Sequence, residues 1–356
     1  MKYGNGLEDR RRREFLIGSA AALAAAGTGV LTPAGIAHAQ ESNDALYAAA
    51  RKEGKLVWRC GHLDQPAMRA VADAFMKTYP GIDVDALWQS GEVVYTRVQQ
   101  NLKAGVNEID VFGTSNAGHW PGLKKQGVLV PFHTSGADKL GKTFRTIDPD
   151  GMFHAAGVEV VIINYRSDKV SAPPKRWTEM LDPAWDNKLT FGNPAFSGDA
   201  ACWTVSMLDK YGQSFFTDLA KRNPKIGRSI LGTGTDINSG ERLVGHGVDA
   251  NTFLLKRNGN PIDVKFPEDD AILAVGYTGI LKDCPHPNAA KLFIEFNDSI
   301  EYSKAMASAC RFPIRSDVPS FSGLKLDELK TYQPTIERLT KGTAEAVAAW
   351  RSAMGV

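Results

Sequence analysis

The 356-residue sequence contains few cysteines and none of the common local metal or redox motifs. Its four cysteines never form C-x-x-C, which excludes a zinc knuckle or a thioredoxin-type site. No H-E-x-x-H segment is present, which excludes the usual zinc-protease signature. Gly113, Ser115 and Gly118 approach a G-x-S-x-G elbow, but the second glycine comes one residue late. A secreted hydrolase therefore stays the enzyme alternative, while we expect a non-enzymatic protein without a cofactor.

An excess of charge is also missing. Removal of residues 1–39 takes away five basic and three acidic residues, and the remaining 317 residues carry 37 charges of each sign. This balance argues against a basic nucleic-acid surface. From residue 40 onward there is no apolar run of the roughly 20 residues that a membrane span needs. A chain of this size exceeds the usual single core, so two lobes are expected.

The N-terminus has the pattern of an export signal over residues 1–39. Four arginines, Arg10 to Arg13, precede a mildly apolar stretch over 17–36. Ala37 and Ala39 then supply the small side chains that a signal peptidase requires, which predicts cleavage after Ala39 and a periplasmic protein. The pair Arg12-Arg13 before Phe15 resembles a twin-arginine signal. A general secretory signal and an uncleaved anchor are the alternatives.

Strand-like and helix-like segments alternate along the chain. We predict, in order, a helix over 45–52, a strand over 56–60, a helix over 65–79, a strand over 82–87, a helix over 93–103 and a strand over 109–113. This order is typical of a parallel sheet with crossover helices, and hence of the α/β class. Later segments predict strands over 158–164 and 189–192, a helix that starts at Ser197, a helix over 238–245, a strand over 248–255, a strand pair or crossover over 271–280 and a closing helix over 332–350.

A set of segments resembles a known family over almost all of the mature chain. The segments are Glu53-Gly54-Lys55-Leu56-Val57-Trp58, Tyr79-Pro80-Gly81-Ile82, Ile109-Asp110-Val111, Lys125-Gln126-Gly127-Val128, Val161-Ile162-Ile163-Asn164-Tyr165, Pro173-Pro174-Lys175-Arg176-Trp177, Cys284-Pro285-His286-Pro287-Asn288 and Phe312-Pro313-Ile314-Arg315. Together they resemble the extracellular solute-binding proteins of ATP-driven (ABC) importers, in the branch that includes ferric-iron binders.

The resemblance implies a two-lobed periplasmic-binding-protein fold of type II, with a ligand cleft between lobes joined by hinge strands. It places the N-lobe at 42–156 plus 279–312 and the C-lobe at 157–278 plus 313–356. The implied hinges lie near residues 157–159, 275–278 and 312–314. The expected role is capture of a small polar solute, such as an organic acid, a phosphonate or a polyamine, by a monomer that delivers it to permease and ATPase subunits. A receptor that feeds a sensor is the remaining alternative.

In the first lobe, four ligand candidates stand in the turns that follow predicted strands. His62 follows the first strand and is either a surface turn residue or, as the resemblance to iron binders suggests, a ligand. Glu92 follows the second strand and is either a ligand or a helix-start residue that matches the helix dipole. Ser115 and Asn116 follow the third strand and either cap a helix or contact the ligand.

In the second lobe, Ser197, Gly198 and Asp199 open a helix whose free backbone N–H groups form an anion site. Iron-binding relatives place adjacent tyrosines near residue 251, because ferric iron prefers phenolate oxygens. This sequence has Asn251 there, and it contains no adjacent tyrosine pair. We therefore expect Asn251 and Tyr277 to contact an organic solute. The iron alternative would use His62, Glu92 and Tyr277.

Two cysteines bracket the helical segments 288–296 and 301–309. If these segments form antiparallel helices, Cys284 and Cys310 lie at the same end of the pair. A disulfide between them and two free thiols are then the two alternatives in an oxidising compartment.

We expect the exported protein to begin at Gln40, because the small residues that end at Ala39 fit the signal-peptidase subsites. The intact mass of the protein recovered from the periplasm would measure the cleavage position. Retention of residues 1–39 would support the uncleaved anchor instead.

Overall fold

Two long antiparallel strands form the centre of the molecule. In the computed structural model, which describes residues 43–356, β5 (His154–Arg166) pairs with β10 (Ala271–Leu281). Within these residues eleven strands make one sheet, with the order β2-β1-β3-β10-β5-β8-β6-β7; β4 and β11 join β10, and β9 joins β5. The predicted export signal and its cleavage site lie outside the described residues.

The first half of the chain builds parallel strands on the β10 side of this pair. Its elements are α1 (Asn43–Glu53), β1 (Lys55–Cys60), α2 (Gln65–Thr78), β2 (Asp83–Trp88), α3 (Gly91–Ala104), β3 (Val111–Thr114), α4 (His119–Gln126) and β4 (Leu129–Val130). Strand β1 pairs parallel with β2 and β3, and β3 pairs antiparallel with β10. These elements match the predicted strand–helix alternation closely. We call β1–β3 and the helices packed on them the first lobe.

The second half builds parallel strands on the β5 side. Its elements are β6 (Leu189–Gly192), α5 (Gly198–Tyr211), α6 (Gln213–Ala220), β7 (Lys225–Gly227), α7 (Gly232–Ser239), β8 (Val244–Val248), α8 (Asp249–Arg257), β9 (Ile262–Lys265), α9 (Pro287–Asn297), α10 (Ile300–Ser308), β11 (Thr331–Tyr332) and α11 (Ile336–Met354). Strand β6 pairs parallel with β7 and β8. We call β6–β8 and the helices packed on them the second lobe.

The chain crosses between the lobes more than once. Helices α9 and α10 return to the first lobe, where α9 packs on α1 and α10 packs on α2. Helix α11 packs on α5 and α6 of the second lobe, and its Trp350 is fully buried there. A hydrophobic cluster surrounds β5 and β10 and includes Trp120, Phe153 and Tyr277. The predicted residue boundaries of the lobes stay a prediction.

The region around residues 238–255 differs from the sequence prediction. The predicted helix over 238–245 is the end of α7 followed by β8, and the predicted strand over 248–255 is α8. Both glycines of β8 face close neighbours, since a methyl group on Gly245 would lie 2.6 Å from Thr190 O, and one on Gly247 would lie 2.3 Å from Asn164 Nδ2. Close approach of neighbouring elements therefore accounts for glycines in a strand, where the sequence prediction had the end of a helix.

Of the two alternatives for the cysteines, the structure shows free thiols and no disulfide. Cys284 and Cys310 are free thiols, as are the other two cysteines. Helix α9 packs on α1 and α10 packs on α2, and the two helices also contact each other. Cys284 packs against the core under α1 and α2, whereas Cys310 belongs to the cluster around β5 and β10.

None of the helices in residues 43–356 combines the length and the apolar character needed to cross a membrane.

A buried arginine joins the first lobe to β5. Arg311 follows α10, is 4% exposed and forms an ion pair with Glu159 of β5. Its Nη2 lies 3.0 Å from Oδ2 of Asp64, the N-cap residue of α2. Asp249 at the start of α8 is fully buried and accepts a hydrogen bond from Val160 N at 2.8 Å. Arg311 from the first lobe and Asp249 from the second therefore hold the same stretch of β5.

Burial raises the pKa of two acidic side chains of this cluster, Glu159 and Asp249. It raises the pKa of Glu159 to about 8, although the Arg311 guanidinium acts in the opposite direction. Burial likewise raises the pKa of Asp249 to about 7. Both values lie above those of the exposed side chains, so the native state binds more protons than the unfolded state around neutral pH.

We expect the free energy of unfolding to fall as the pH rises from about 6.5 to about 8. In this window the native protein holds protons on Glu159 and Asp249 that the unfolded chain has lost, and stability decreases with pH when the native state binds more protons. Below about pH 6.5 three buried histidines oppose this slope in part, because burial lowers the pKa of His62 and His246 to about 3 and that of His154 to about 4, and the unfolded chain then binds protons that these side chains lack in the native state.

Urea unfolding in steps of pH measures this slope. Glu159→Gln cannot titrate and should flatten it. Glu337→Gln, at an exposed pair with Lys341, should leave it unchanged, since the pKa of Glu337 is lowered by that lysine and lies outside the window. An undiminished slope in Glu159→Gln would contradict the assignment.

Candidate ligand-binding cleft

Turns from both lobes line one cavity of about 570 Å³. The residues that line it are Gly61, Trp88, Ser90, Gly91, Glu92, Thr114, Ser115, Asn116 and Ala117 of the first lobe, Pro194, Ala195, Phe196, Ser197, Gly198, Asp199, Ala201, Cys202, Arg228, Ser229, Leu339 and Thr343 of the second, and Ala274 and Val275 of β10. Most of these turns follow the carboxyl ends of β1, β2, β3, β6 and β7, where ligands of open α/β sheets bind.

Close backbone approach fixes the first-lobe wall. A methyl group on Gly61 would lie 2.4 Å from Gly91 N, and one on Gly91 would lie 2.6 Å from Thr114 Oγ1. Contacts this short leave room for hydrogen but not for a side chain. The turns after β1, β2 and β3 therefore touch one another, and this contact positions Glu92 at the start of α3.

Glu92 is held by one carboxylate oxygen and presents the other to solvent. Asn116 Nδ2 donates to Glu92 Oε1 at 2.7 Å, and His119 Nε2 lies 3.2 Å from the same oxygen. The Glu92 side chain is 70% exposed, and its Oε2 has no partner within residues 43–356. His119 stacks on Tyr95 with 3.8 Å between ring centroids, and burial lowers its pKa although Glu92 acts to raise it. The cavity thus receives a negative charge from this wall.

The second-lobe wall is built on the first turn of α5. Ser197 is the N-cap residue, and its hydroxyl makes no capping hydrogen bond. The first N–H groups of a helix have no intrahelical acceptor, so they and this hydroxyl are available to an anion. Asp199 lies in the same turn, and burial raises its pKa to about 6 against the effect of Arg311.

Arg228 is the basic residue of the cavity lining. It follows β7, its side chain is exposed, and its guanidinium lies over the ring of Phe196 at 5.6 Å from the centroid. Within residues 43–356 no carboxylate pairs with it, whereas the nearby Arg222 and Lys225 both have carboxylate partners. Sequence reasoning missed Arg228, because the three-residue strand before it gave no pattern that marked the turn.

The two lobes approach each other closely at one point of the cleft. A methyl group on Gly198 of the second lobe would lie 3.2 Å from Ser115 Oγ of the first lobe. The absence of a side chain at residue 198 therefore lets Ser115 lie over the first turn of α5.

Six of the nine predicted ligand residues line the cavity. They are Glu92, Ser115, Asn116, Ser197, Gly198 and Asp199. Their role as ligand contacts stays a prediction. Ser115 and Asn116 do not cap the following helix, since α4 begins at His119 with Gly118 at the N-cap.

Three predicted residues, His62, Asn251 and Tyr277, do not line the cavity. His62 is 9% exposed and packs on the sheet, where a methyl group on Gly276 would lie 2.4 Å from its Cδ2. Tyr277 is 1% exposed and lies edge-on to aromatic rings of the core. Asn251 lies on α8, and its Oδ1 faces Gly234 of α7. The strand predicted over 248–255 is a helix, and this difference explains why Asn251 faces α7.

The three residues of the iron alternative, His62, Glu92 and Tyr277, therefore do not line one site. His62 and Tyr277 are buried at the sheet, and Glu92 is at the cavity mouth. Within residues 43–356 no group of three histidine, cysteine, aspartate or glutamate side chains is close enough to hold a metal ion.

Comparison with known proteins assigns the family. A family model described as a bacterial extracellular solute-binding protein matches residues 109–332, which is more than half of the chain. The chain belongs to this family. The solute-binding protein is 26% identical over 303 residues to a Salmonella paratyphi A protein named "Putative 2-aminoethylphosphonate-binding periplasmic protein", with 78% of this chain and 85% of the relative covered.

Solved structures confirm the fold of the solute-binding protein. The periplasmic binding protein AfuA from Actinobacillus pleuropneumoniae, with fructose-6-phosphate bound, matches with a TM-score of 0.72 at 16% identity, over 85% of this chain and 99% of that one. Iron-bound HitA from Pseudomonas aeruginosa matches with a TM-score of 0.71 at 20% identity, over 84% and 99%. The predicted two-lobed type II fold and the predicted role as substrate-binding protein of an ABC transporter are confirmed.

We expect Gly61→Ala to destabilise the solute-binding protein by on the order of 1–3 kcal/mol, because the added methyl group overlaps the backbone of Gly91. Urea unfolding measures the change. Gly232→Ala is the matched control, since no described atom lies within 4 Å of its added methyl group. Equal stability of the two variants would show that the turns after β1 and β2 can separate freely.

Proposed function

We propose that the protein binds a small phosphonate or phosphate ester that carries an amino group, of the 2-aminoethylphosphonate type, and delivers it to the permease and ATPase subunits of its importer. The observation that carries this proposal is the cavity-lining guanidinium of Arg228, which has no carboxylate partner in the described chain. An arginine without a counter-ion beside an open cavity suits a ligand that brings the negative charge.

The groups around Arg228 match a tetrahedral oxyanion. Ser197 and Ser229 also line the cavity; Ser197 is the N-cap residue of α5, and Ser229 lies three residues before α7. Hydroxyl groups, backbone N–H groups and a guanidinium together can donate to all three oxygen atoms of a phosphonate. A carboxylate has two oxygen atoms and would leave part of this donor set without an acceptor.

The cavity does not suit a ligand that is only anionic. Besides Arg228, its charged lining residues are Glu92 and Asp199. A free phosphate at Arg228 would leave the Glu92 carboxylate without a cationic partner, and like charges in a partly dehydrated cleft repel. A ligand with both an anionic and a cationic group satisfies both signs.

The relatives support this choice of ligand class. The curated match is named for 2-aminoethylphosphonate, and AfuA was solved with a sugar phosphate. HitA was solved with iron, but the cavity lining described here contains no tyrosine and no histidine. Ferric iron prefers phenolate and carboxylate oxygens. The iron alternative is therefore weaker.

The periplasm is the proposed location of the protein, and closure on the ligand is its proposed action. The export pattern in residues 1–39 and the periplasmic relatives support a periplasmic location. We propose that the protein acts there as a non-catalytic monomer. A ligand that contacts both walls would favour a closed state, which the permease then recognises. Hydrolysis of an ester or peptide by the purified protein would favour the hydrolase alternative instead.

We expect Arg228→Gln to weaken binding of 2-aminoethylphosphonate about 10- to 100-fold, because it removes a charge-assisted contact with the phosphonate. Arg228→Lys should retain part of the affinity, since it keeps the charge but loses the planar donor fork. Isothermal titration calorimetry of residues 40–356 measures the dissociation constants.

The matched control is Arg222→Gln, which removes an arginine that pairs with Asp186 and does not line the cavity. Its affinity should equal that of the wild type. Wild-type affinity in Arg228→Gln, or a thermal shift with ferric citrate and with no phosphonate, would overturn the proposal.

A further inference from the structure

The first-lobe wall of the cavity contains an exposed aromatic ring. Trp88, the last residue of β2, is 46% exposed and lines the cavity. Its ring stacks on no other aromatic ring and on no cation within residues 43–356, in contrast to Phe196 on the opposite wall, which lies under Arg228. An indole face left open toward a cavity is available to a ligand.

The same wall carries negative charge without a cation. Glu92 stands four residues after Trp88, and both flank the turn that begins α3. Asn116 holds Glu92 Oε1, which orients the carboxylate and leaves Oε2 free. The first-lobe residues that line the cavity include no lysine, arginine or histidine. An aromatic face beside a carboxylate is a favourable environment for an ammonium group.

We infer that the amino group of the ligand binds to the first lobe, between the Trp88 ring and the Glu92 carboxylate, while its phosphonate binds to the second lobe at Arg228. This inference rests on the proposed function and adds the orientation of the ligand and two residues that select for its amino group. Since the two ends contact different lobes, the amino group provides the contact that draws the first lobe onto the bound ligand.

Asp199 is the competing partner for the amino group. It lies in the second-lobe wall, on the α5 turn that contains the anion donors. A carboxylate there is close to the proposed phosphonate site, and its charge is already opposed by Arg311. Glu92 has neither feature, so the geometry favours Glu92.

The test compares 2-aminoethylphosphonate with ethylphosphonate, which lacks the amino group, by calorimetry on the wild type and on variants. The wild type should bind the amino ligand at least about 10-fold more tightly. Glu92→Gln, which keeps the acceptor for Asn116, should reduce this preference about 10-fold with little change for ethylphosphonate. Trp88→Leu should reduce the preference about 3- to 10-fold, and Trp88→Phe should reduce it less.

Glu108→Gln serves as the control, since Glu108 is 62% exposed and does not line the cavity. Unfolding midpoints equal to the wild type establish that the variants are folded. Equal weakening of both ligands by Glu92→Gln and Trp88→Leu would overturn the inference, as would loss of the preference in Asp199→Asn and not in Glu92→Gln. If the wild type binds neither 2-aminoethylphosphonate nor ethylphosphonate, the proposed function is overturned, and the inference with it.

Discussion

Arg311 is buried between a carboxylate of the first lobe, Asp64, and a carboxylate of strand β5, Glu159. The guanidinium is a fixed positive charge inside the protein, and Glu159 and the partly exposed Asp64 offset the cost of burying it. The contact between Arg311 and Glu159 therefore ties β5 to the first lobe. Asp249 of the second lobe binds the next residue of the same strand by accepting a hydrogen bond from Val160 N. Strand β5 also pairs with β10 and β8. The positions of the parallel strands β1–β3 and β6–β8 therefore depend on the stretch of β5 at Glu159 and Val160.

The crossing strands determine what the cleft can contain. At their centre, Gly157 pairs with Gly276, and the register shifts directly after Gly276. The missing side chains leave the space that the His62 ring fills. A histidine in the turn after β1 thus packs against the sheet instead of reaching the cavity, and burial lowers its pKa to about 3. The charge that the first lobe offers to a ligand must then come from the next turn along the sheet, which carries Glu92.

The sequence predicted the parts of the fold that local pattern determines. Alternating apolar segments gave the strand–helix order of the first lobe, and polar residues after strands identified Glu92 and Ser197 as cavity-lining. The failures have one physical cause, which is that long-range contacts overrode local preference. The apolar, partly β-branched run around Asn251 forms a helix whose first residue is held by β5. Arg228 stood in a turn without any local signature, and its significance comes from the absence of a nearby carboxylate, which a sequence does not reveal.

The distribution of charge over the two walls bears on how closure is controlled. The first wall presents Glu92, and the second presents Asp199 and Arg228. A ligand shifts the equilibrium toward the closed state only to the extent that it binds that state more tightly. Under the proposed function, a phosphonate without an amino group would contribute this difference at the second wall alone, whereas an aminophosphonate would also pair with Glu92. Selectivity for the zwitterion would then arise from the unpaired Glu92 carboxylate that the cleft retains when it closes on a ligand without an amino group.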